Sequence, residues 1–275
     1  MASLKAQTKV NRERLLDGCW YAREQASSYF QREWLNKISY DRLPKNMKYV
    51  RAWDKASSIP TEKYKYPDYT VSVKMAKDTN GNIYILGDYI LDSIDEKSKV
   101  YGRFRRLPGE RDTMILKQSL YDNEEHNINI TVVLPKDPSA AGAVEYQESA
   151  KKLISNGLAV KSDAMPGNKK KLQKFTPFSS ACQNGFVYIV EDSFPNQETL
   201  DHFYRELEVF NGERSTATVK DDIPDACASA FNTIQQEQIF TAVAIPSAIS
   251  SRTKASSYGL TNKSPLSKIP RFNKQ

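Results

Sequence analysis

The chain of 275 residues carries 40 Lys and Arg against 33 Asp and Glu, with 39% hydrophobic and 27% charged residues. That length and balance support one large domain with appendages or two small ones. No apolar run approaches the roughly 20 residues a membrane span requires, and the polar start MASLKAQTKVNRERLLDG has no signal-peptide pattern, so a soluble, cytosolic protein is expected.

In chain order, residues 4–17 read as a helix ending at Gly18. An aromatic-rich segment with Trp20, Tyr21, Tyr29, Phe30 and Trp34 follows and reads as an arm or linker. MKYVRAWDKA (47–56) reads as a strand running into a turn, and TVSVKMAK (70–77) alternates with period two. Asn80-Gly81 is a hairpin signal, with NIYILGDYIL (82–91) as the returning strand. The spacing predicts an early antiparallel meander. Residues 95–126 read as mainly helical, broken near Pro108-Gly109, and INITVVLP (128–135) as a buried strand. Helices are predicted over 141–155, 168–183, 196–210 and 222–238, and short strands over 158–163 and 186–190. Strands followed by helices alternating with short apolar strands predict an α/β fold, a mixed sheet covered by helices. There is no internal repeat and no phosphate-binding G-x-x-x-x-G-K-[ST] loop.

Charge is uneven. Residues 241–275 hold six basic residues and no acid, which leaves a net +1 on residues 1–240 out of the total +7. This Ser/Pro/Lys-rich end reads as a disordered basic tail, a solubilising end or a weak tether to nucleic acid or a partner. The three cysteines, Cys19, Cys182 and Cys227, are scattered and give no disulfide framework. The two histidines, His126 and His202, form no zinc-ligand pair, and no G-x-S-x-G elbow accompanies them. Carboxylates are therefore the candidate catalytic groups.

Three acidic positions stand out. Asp54 ends the first strand in RAWDKA, Asp137 follows the buried strand in LPKDPSAAG, and Asp221, Asp222 and Asp225 open the last helix in DDIPDACASAF. Each has a structural reading: a polar strand end, an Asp-Pro turn, a helix cap. One helix start needs only one cap, however, and crowded carboxylates repel unless a cation lies near. If the first strand and strand 128–134 are neighbours, Asp54, Asp137 and the Asp221/Asp222 pair meet at one sheet edge. Hard oxygen donors of that kind suit Mg²⁺ or Mn²⁺.

WDKA, KDPSAAG, DDIPDA and the run GNKKKLQKFTPFSSACQNGFVYIV (167–190) together resemble the nuclease domain of tailed-bacteriophage terminase large subunits, in the same order over residues 10–235. Where many members have an acidic-Pro-Gly turn, this chain has Asp137-Pro138-Ser139. The resemblance implies an RNase H-like mixed sheet and three parts. These are an arm (1–46) of the kind that follows a packaging ATPase, absent here, a nuclease domain (47–240) and the basic tail (241–275). It implies a metal-dependent endonuclease cutting double-stranded DNA during genome packaging in the host cytoplasm, with a small terminase subunit and portal as partners. Asp54 is expected to bridge two ions, Asp137 and Asp222 to complete the sites, Asp221 to assist and Asp225 to cap the helix. Lys169, Lys170, Lys171 and Lys174, with Arg103, Arg105 and Arg106, are expected to hold DNA phosphates, although each cluster also reads as a solvated face. The alternatives are another RNase H-like nuclease, such as a junction resolvase or hybrid hydrolase, and a non-catalytic DNA-binding or docking module. A transposase-type strand transferase is disfavoured, because that class usually ends its acidic set with Glu.

Overall fold

The computed structural model describes residues 29–63, 65–163, 171–213 and 220–237. The predicted helix at 4–17, the tail 241–275, and Lys169 and Lys170 lie outside the described residues.

The centre of the fold is an eight-stranded mixed sheet. Strand β1 is Asn36–Lys37, β2 Met47–Asp54, β3 Thr70–Asp78, β4 Ile83–Leu86, β8 Thr131–Leu134, β9 Ala159–Ser162 and β10 Val187–Val190, in the order β1-β10-β4-β3-β2-β8-β9. β2 to β4 form the predicted antiparallel meander, turning at Gly81 with its positive φ of 88°. β8 runs parallel to β2, and β9 parallel to β8, with helices in the connections. The neighbour relation between the first strand and strand 128–134, expected from the sequence, is therefore present.

Residues 94–107 depart from the helical expectation. Short strands β5 (Ile94–Asp95) and β6 (Val100–Tyr101) form a ribbon, and β7 (Arg103–Phe104) pairs with β3. Lys99 and Gly102 both take positive φ, 54° and 75°, which breaks any helix through them. A Cβ at Gly102 would collide with the Tyr89 ring at 2.4 Å, so this turn requires glycine. The helix starts only at Pro108.

Among the described residues five α-helices cover the sheet: α1 Pro108–His126, α2 Ala140–Ile154, α3 Lys171–Gln183, α4 Gln197–Val209 and α5 Asp222–Gln236. The main core lies under α3, α4 and α5. Val50, Ala52, Val73 and Met75 of the sheet meet Phe178, Phe203, Ala226 and Ala230 there. The small residues of α5 allow its close approach. Trp53, Met114, Ile115 and Leu153 pack on the opposite face under α1 and α2.

The segment expected to be an arm joins this core from residue 29 onward. Tyr29, Phe30 and Leu35 are buried in it. Arg32 makes a two-pronged bond to Glu208 of α4, at 2.6 and 2.9 Å, and β1 extends the sheet beside β10.

One layer of the interior is ionic. Arg51 and Lys74 are opposite each other across β2 and β3, and both are fully buried. Asp122 of α1 takes the Arg51 guanidinium through both oxygens, at 2.5 and 2.9 Å, and Lys74 reaches Asp88 at 2.6 Å and Asp122 at 3.2 Å. Burial of these charges is tolerable only because every one of them is paired.

Candidate active site

The carboxyl end of β2 opens into a cleft of about 170 Å³ whose lining includes Asp54, Pro135, Asp163, Lys171, Lys174 and Asp225. Each residue arrives by a different route. Along β2, Val50 and Ala52 point to the core beneath α5, and period two puts Asp54 on that same face. Asp163 follows β9 and extends its ladder, its amide donating to Leu134 at 2.9 Å. Asp225, Ser229 and Asn232 form a polar stripe at i, i+4 and i+7 beside the apolar face of α5. Ser229 donates to Asp163 at 2.8 Å, and Asn232 donates to the Lys174 carbonyl at 2.9 Å.

At the start of α5 the three aspartates have different surroundings. Asp221 is the N-cap residue but makes no side-chain cap bond. Instead the Ile223 amide donates to Glu206 of α4 at 2.7 Å, so the helix start is satisfied from a neighbouring helix. Asp222 turns away from the cleft lining and accepts from the Tyr69 amide at 3.2 Å. Asp225, expected to be the capping residue, is the one that lines the cleft with Asp54.

The electrostatics match this crowding. Burial raises the Asp54 acid well above its usual range, and the negative charges of Asp225 and Asp222 add to the rise while Lys171 opposes it. Burial also raises Asp225, against the pull of Lys171. Burial and the charge of Glu206 push Asp222 up to about 7, against the Tyr69 amide bond. The Lys171 ammonium bridges Asp221 and Asp225, at 2.8 Å from the latter. Burial would lower its pKa, but the charges of Asp225 and Asp221 outweigh that and hold the ammonium charged beyond its ordinary range.

The other predicted residues are distributed as follows. Asp137 is exposed and outside the cleft lining. Its carboxylate accepts from the Ser139 amide at 2.7 Å, and hydrogen bonding from the Ser139 hydroxyl and then its amide holds its acid below the usual range. Ser139 in turn caps α2. Extending the β2–β8 register places Asp54 level with Pro135, so Asp137 lies two residues beyond the cleft wall. Lys174 bonds to Asp163 at 3.2 Å. Arg103 and Arg105 stack on Tyr69, and Arg106 bonds only weakly, at 3.4 Å, to the Asp92 carbonyl. Asp163 and Glu206 were missed by sequence reasoning. The signal for Asp163 is an acid directly after a parallel strand, in LAVKSD. Glu206 carries no such signal, since its partner lies on another helix.

Among the described residues, no three His, Cys, Asp or Glu are close enough to form a ready-made ion cage. The Lys171 ammonium already supplies a positive charge between two of the carboxylates. The donor chemistry fits a hard divalent cation nonetheless: Asp54 and Asp225 are crowded oxygen donors whose negative forms need a counter-charge.

The central strand is antiparallel to one neighbour and parallel to the other, in the run β4-β3-β2-β8-β9, with acids gathered at its carboxyl end. The sheet is RNase H-like. Solved structures similar to this chain include the large terminase nuclease of thermophilic phage G20c with bound zinc. It is 15% identical, with 78% of this chain and 99% of that chain covered and a TM-score of 0.43. The human cytomegalovirus terminase nuclease domain is 10% identical, with 79% and 96% covered and a TM-score of 0.48. A yeast mitochondrial Holliday junction resolvase is 10% identical, with 71% and 82% covered and a TM-score of 0.38. No protein-family model matches the chain, and no curated protein sequence matches it. Among the described residues no helix is long and apolar enough to cross a membrane.

Proposed function

We propose that the chain is a metal-dependent endonuclease acting on double-stranded DNA, of the kind that cuts phage genomes during packaging. The observation that carries this reading is the convergence of Asp54 and Asp225 in one cleft flanked by Lys171 and Lys174. The role first expected of Asp222 passes to Asp225, because Asp222 is engaged by the Tyr69 amide.

Asp54 and Asp225 would hold the cation, Mg²⁺ or Mn²⁺. Asp137, although two residues beyond the cleft wall, would be the third donor, since its carboxylate is exposed and held by Ser139 of its own turn, whereas Asp163 in the lining is engaged by Lys174 and Ser229. A second ion would share Asp54, with Asp221 near it. When bound, such cations lower the pKa of an attacking water and stabilise the departing oxygen. The protein's own groups do the rest. The β2 end fixes Asp54 rigidly, since Lys55 next to it is clamped by Glu145 at 3.0 Å and by Ser149 at 3.0 Å. Lys171 balances the carboxylates until a cation arrives. Lys174 supplies positive charge on the wall where a phosphate must lie.

The test is cleavage of supercoiled plasmid with Mn²⁺, Mg²⁺ or EDTA, by the wild type and by Asp54→Asn, Asp225→Asn, Asp137→Asn and Asp163→Asn. Metal-dependent nicking and linearisation that fall to background in the first three variants and persist in Asp163→Asn support the assignment. A folded wild type that leaves the plasmid intact with either metal sinks the nuclease reading, and loss in Asp163→Asn with retention in Asp137→Asn moves the third donor. A four-way junction and an RNA–DNA hybrid run in parallel separate the packaging nuclease from a resolvase or hybrid hydrolase.

A further inference from the structure

A second concavity, of about 360 Å³, is lined by both arginines of β7 and the residue after it and by side chains of α4 and the 65–69 segment. Its floor is Tyr69, with the Arg103 guanidinium 4.4 Å and the Arg105 guanidinium 3.7 Å from the ring centre. Such cation–ring stacking fixes two long side chains that would otherwise be mobile. Arg103 is further held by Asp95 at 2.9 Å and touches His202 at 2.8 Å, and Lys220 is held by Asp68 at 2.6 Å. Lys65, Lys97 and Arg205 complete the basic lining.

The charge is strongly one-sided. Glu206 is the only carboxylate of the lining, and one of its oxygens already serves the Ile223 amide. Lys65, Lys97 and Arg205 stand in the lining beside Arg105, which donates to the Pro67 carbonyl. The Nε atoms of Arg103 and Arg105 are buried without a hydrogen-bond acceptor. A buried guanidinium N–H left unmade is unfavourable, and the cationic N–H groups of the lining are donors suited to anionic oxygens.

One carboxylate ligand would leave most of this charge uncompensated, whereas a phosphate monoester brings roughly −1.5 to −2 and three acceptor oxygens. The volume falls within the about 300–1,000 Å³ of small-molecule pockets, so it admits more than a bare phosphate. Tyr66, 59% exposed at the rim, offers a face on which a base can stack. We propose that this pocket binds a phosphate group carried on a nucleoside, either a free nucleotide or the terminal nucleotide of a nucleic-acid strand. No bond is made or broken there, and the inference stands without the carboxylate cleft.

The experiment is binding in EDTA, so that no cleavage intervenes and failure of the nuclease reading cannot be confused with failure here. The probes are a short labelled single strand with a 5′ phosphate, the same strand with a 5′ hydroxyl, and AMP or inorganic phosphate as competitors. The variant is Lys97→Ala/Arg205→Ala, whose side chains are exposed, with thermal melting as the check on folding. The wild type should prefer the phosphorylated strand, and the double variant should lose roughly tenfold of that affinity and part of its salt dependence. Displacement by AMP would identify a free nucleotide as the ligand, and retention of the strand against AMP would identify a strand end. On the wild type alone, acetylation of Lys65, Lys97 and Lys220 should be protected by the ligand, while Lys48 and Lys136 stay reactive. Equal binding of both strands by wild type and variant, with no protection of Lys97, would overturn the proposal.

Discussion

Asp222→Asn should stabilise the protein, and by an amount that depends on pH. The side chain is only 3% exposed, and burial with the Glu206 charge raises its acid from 3.8 to about 7. A raised folded value means the group favours folding in its neutral form. Its contribution is complete below the unfolded value and is lost as pH rises through the folded one. The difference amounts to roughly 4 kcal/mol against folding at pH 8.5, and about 2 kcal/mol at pH 5, where only the unfolded chain is ionised. Asparagine keeps the acceptor for the Tyr69 amide and never ionises. Urea unfolding of wild type and variant at the two pH values, with m unchanged, measures the effect. A gain near 4 kcal/mol at the higher pH and about half that at the lower is expected. Equal gains at both values, or a loss at both, would refute the account of Asp222 as a buried acid held against its charge.

Removing the Lys171 ammonium, as Lys171→Ala, should tighten Mn²⁺ binding by roughly tenfold in calorimetric titration, since the cation no longer competes with a resident charge. Weaker binding would mean Lys171 positions the carboxylates rather than balancing them. Asp122→Ala should lower stability by about 3–5 kcal/mol, because Arg51 and Lys74 lose their shared partner inside the protein. A drop in melting temperature of only a degree or two would contradict that. Glu206→Ala should cost about 1 kcal/mol through the unmet Ile223 amide, and amide exchange should quicken at the start of α5 and not at its end.

The order of elements along the chain was legible because apolar periodicity and turn residues are local signals. β2, β3 and the helix at 140–154 lie where the pattern placed them. The acid at the end of β2 was equally legible, since period two fixes which face it takes. Asp222, expected as a donor, bonds the Tyr69 amide, and Asp225, expected as the cap, lines the cleft with Asp54. The polar stripe Asp225, Ser229 and Asn232 was in the sequence, but its meaning depends on α3 lying beside it. Glu206 as the cap of α5, and Asp122 as the partner of Arg51, are contacts across 17 and 71 residues of chain that no window could show. Residues 94–107 failed for a different reason: their charged composition resembles a helix surface, while Lys99 and Gly102 impose left-handed turns.

The two buried cations facing each other across the central strands also decide how those strands align. Arg51 faces Lys74 on the side of the sheet toward α1, while Val50 and Ala52 face α5. Sliding β2 by one residue against β3 would thrust a guanidinium into the apolar layer and withdraw it from Asp122, a penalty no hydrophobic strand could impose as sharply. Asp54 is three residues further along the same strand. The buried charges thus act as a key that admits a single alignment, and that alignment is what aims Asp54 into the cleft and not at the opposite face.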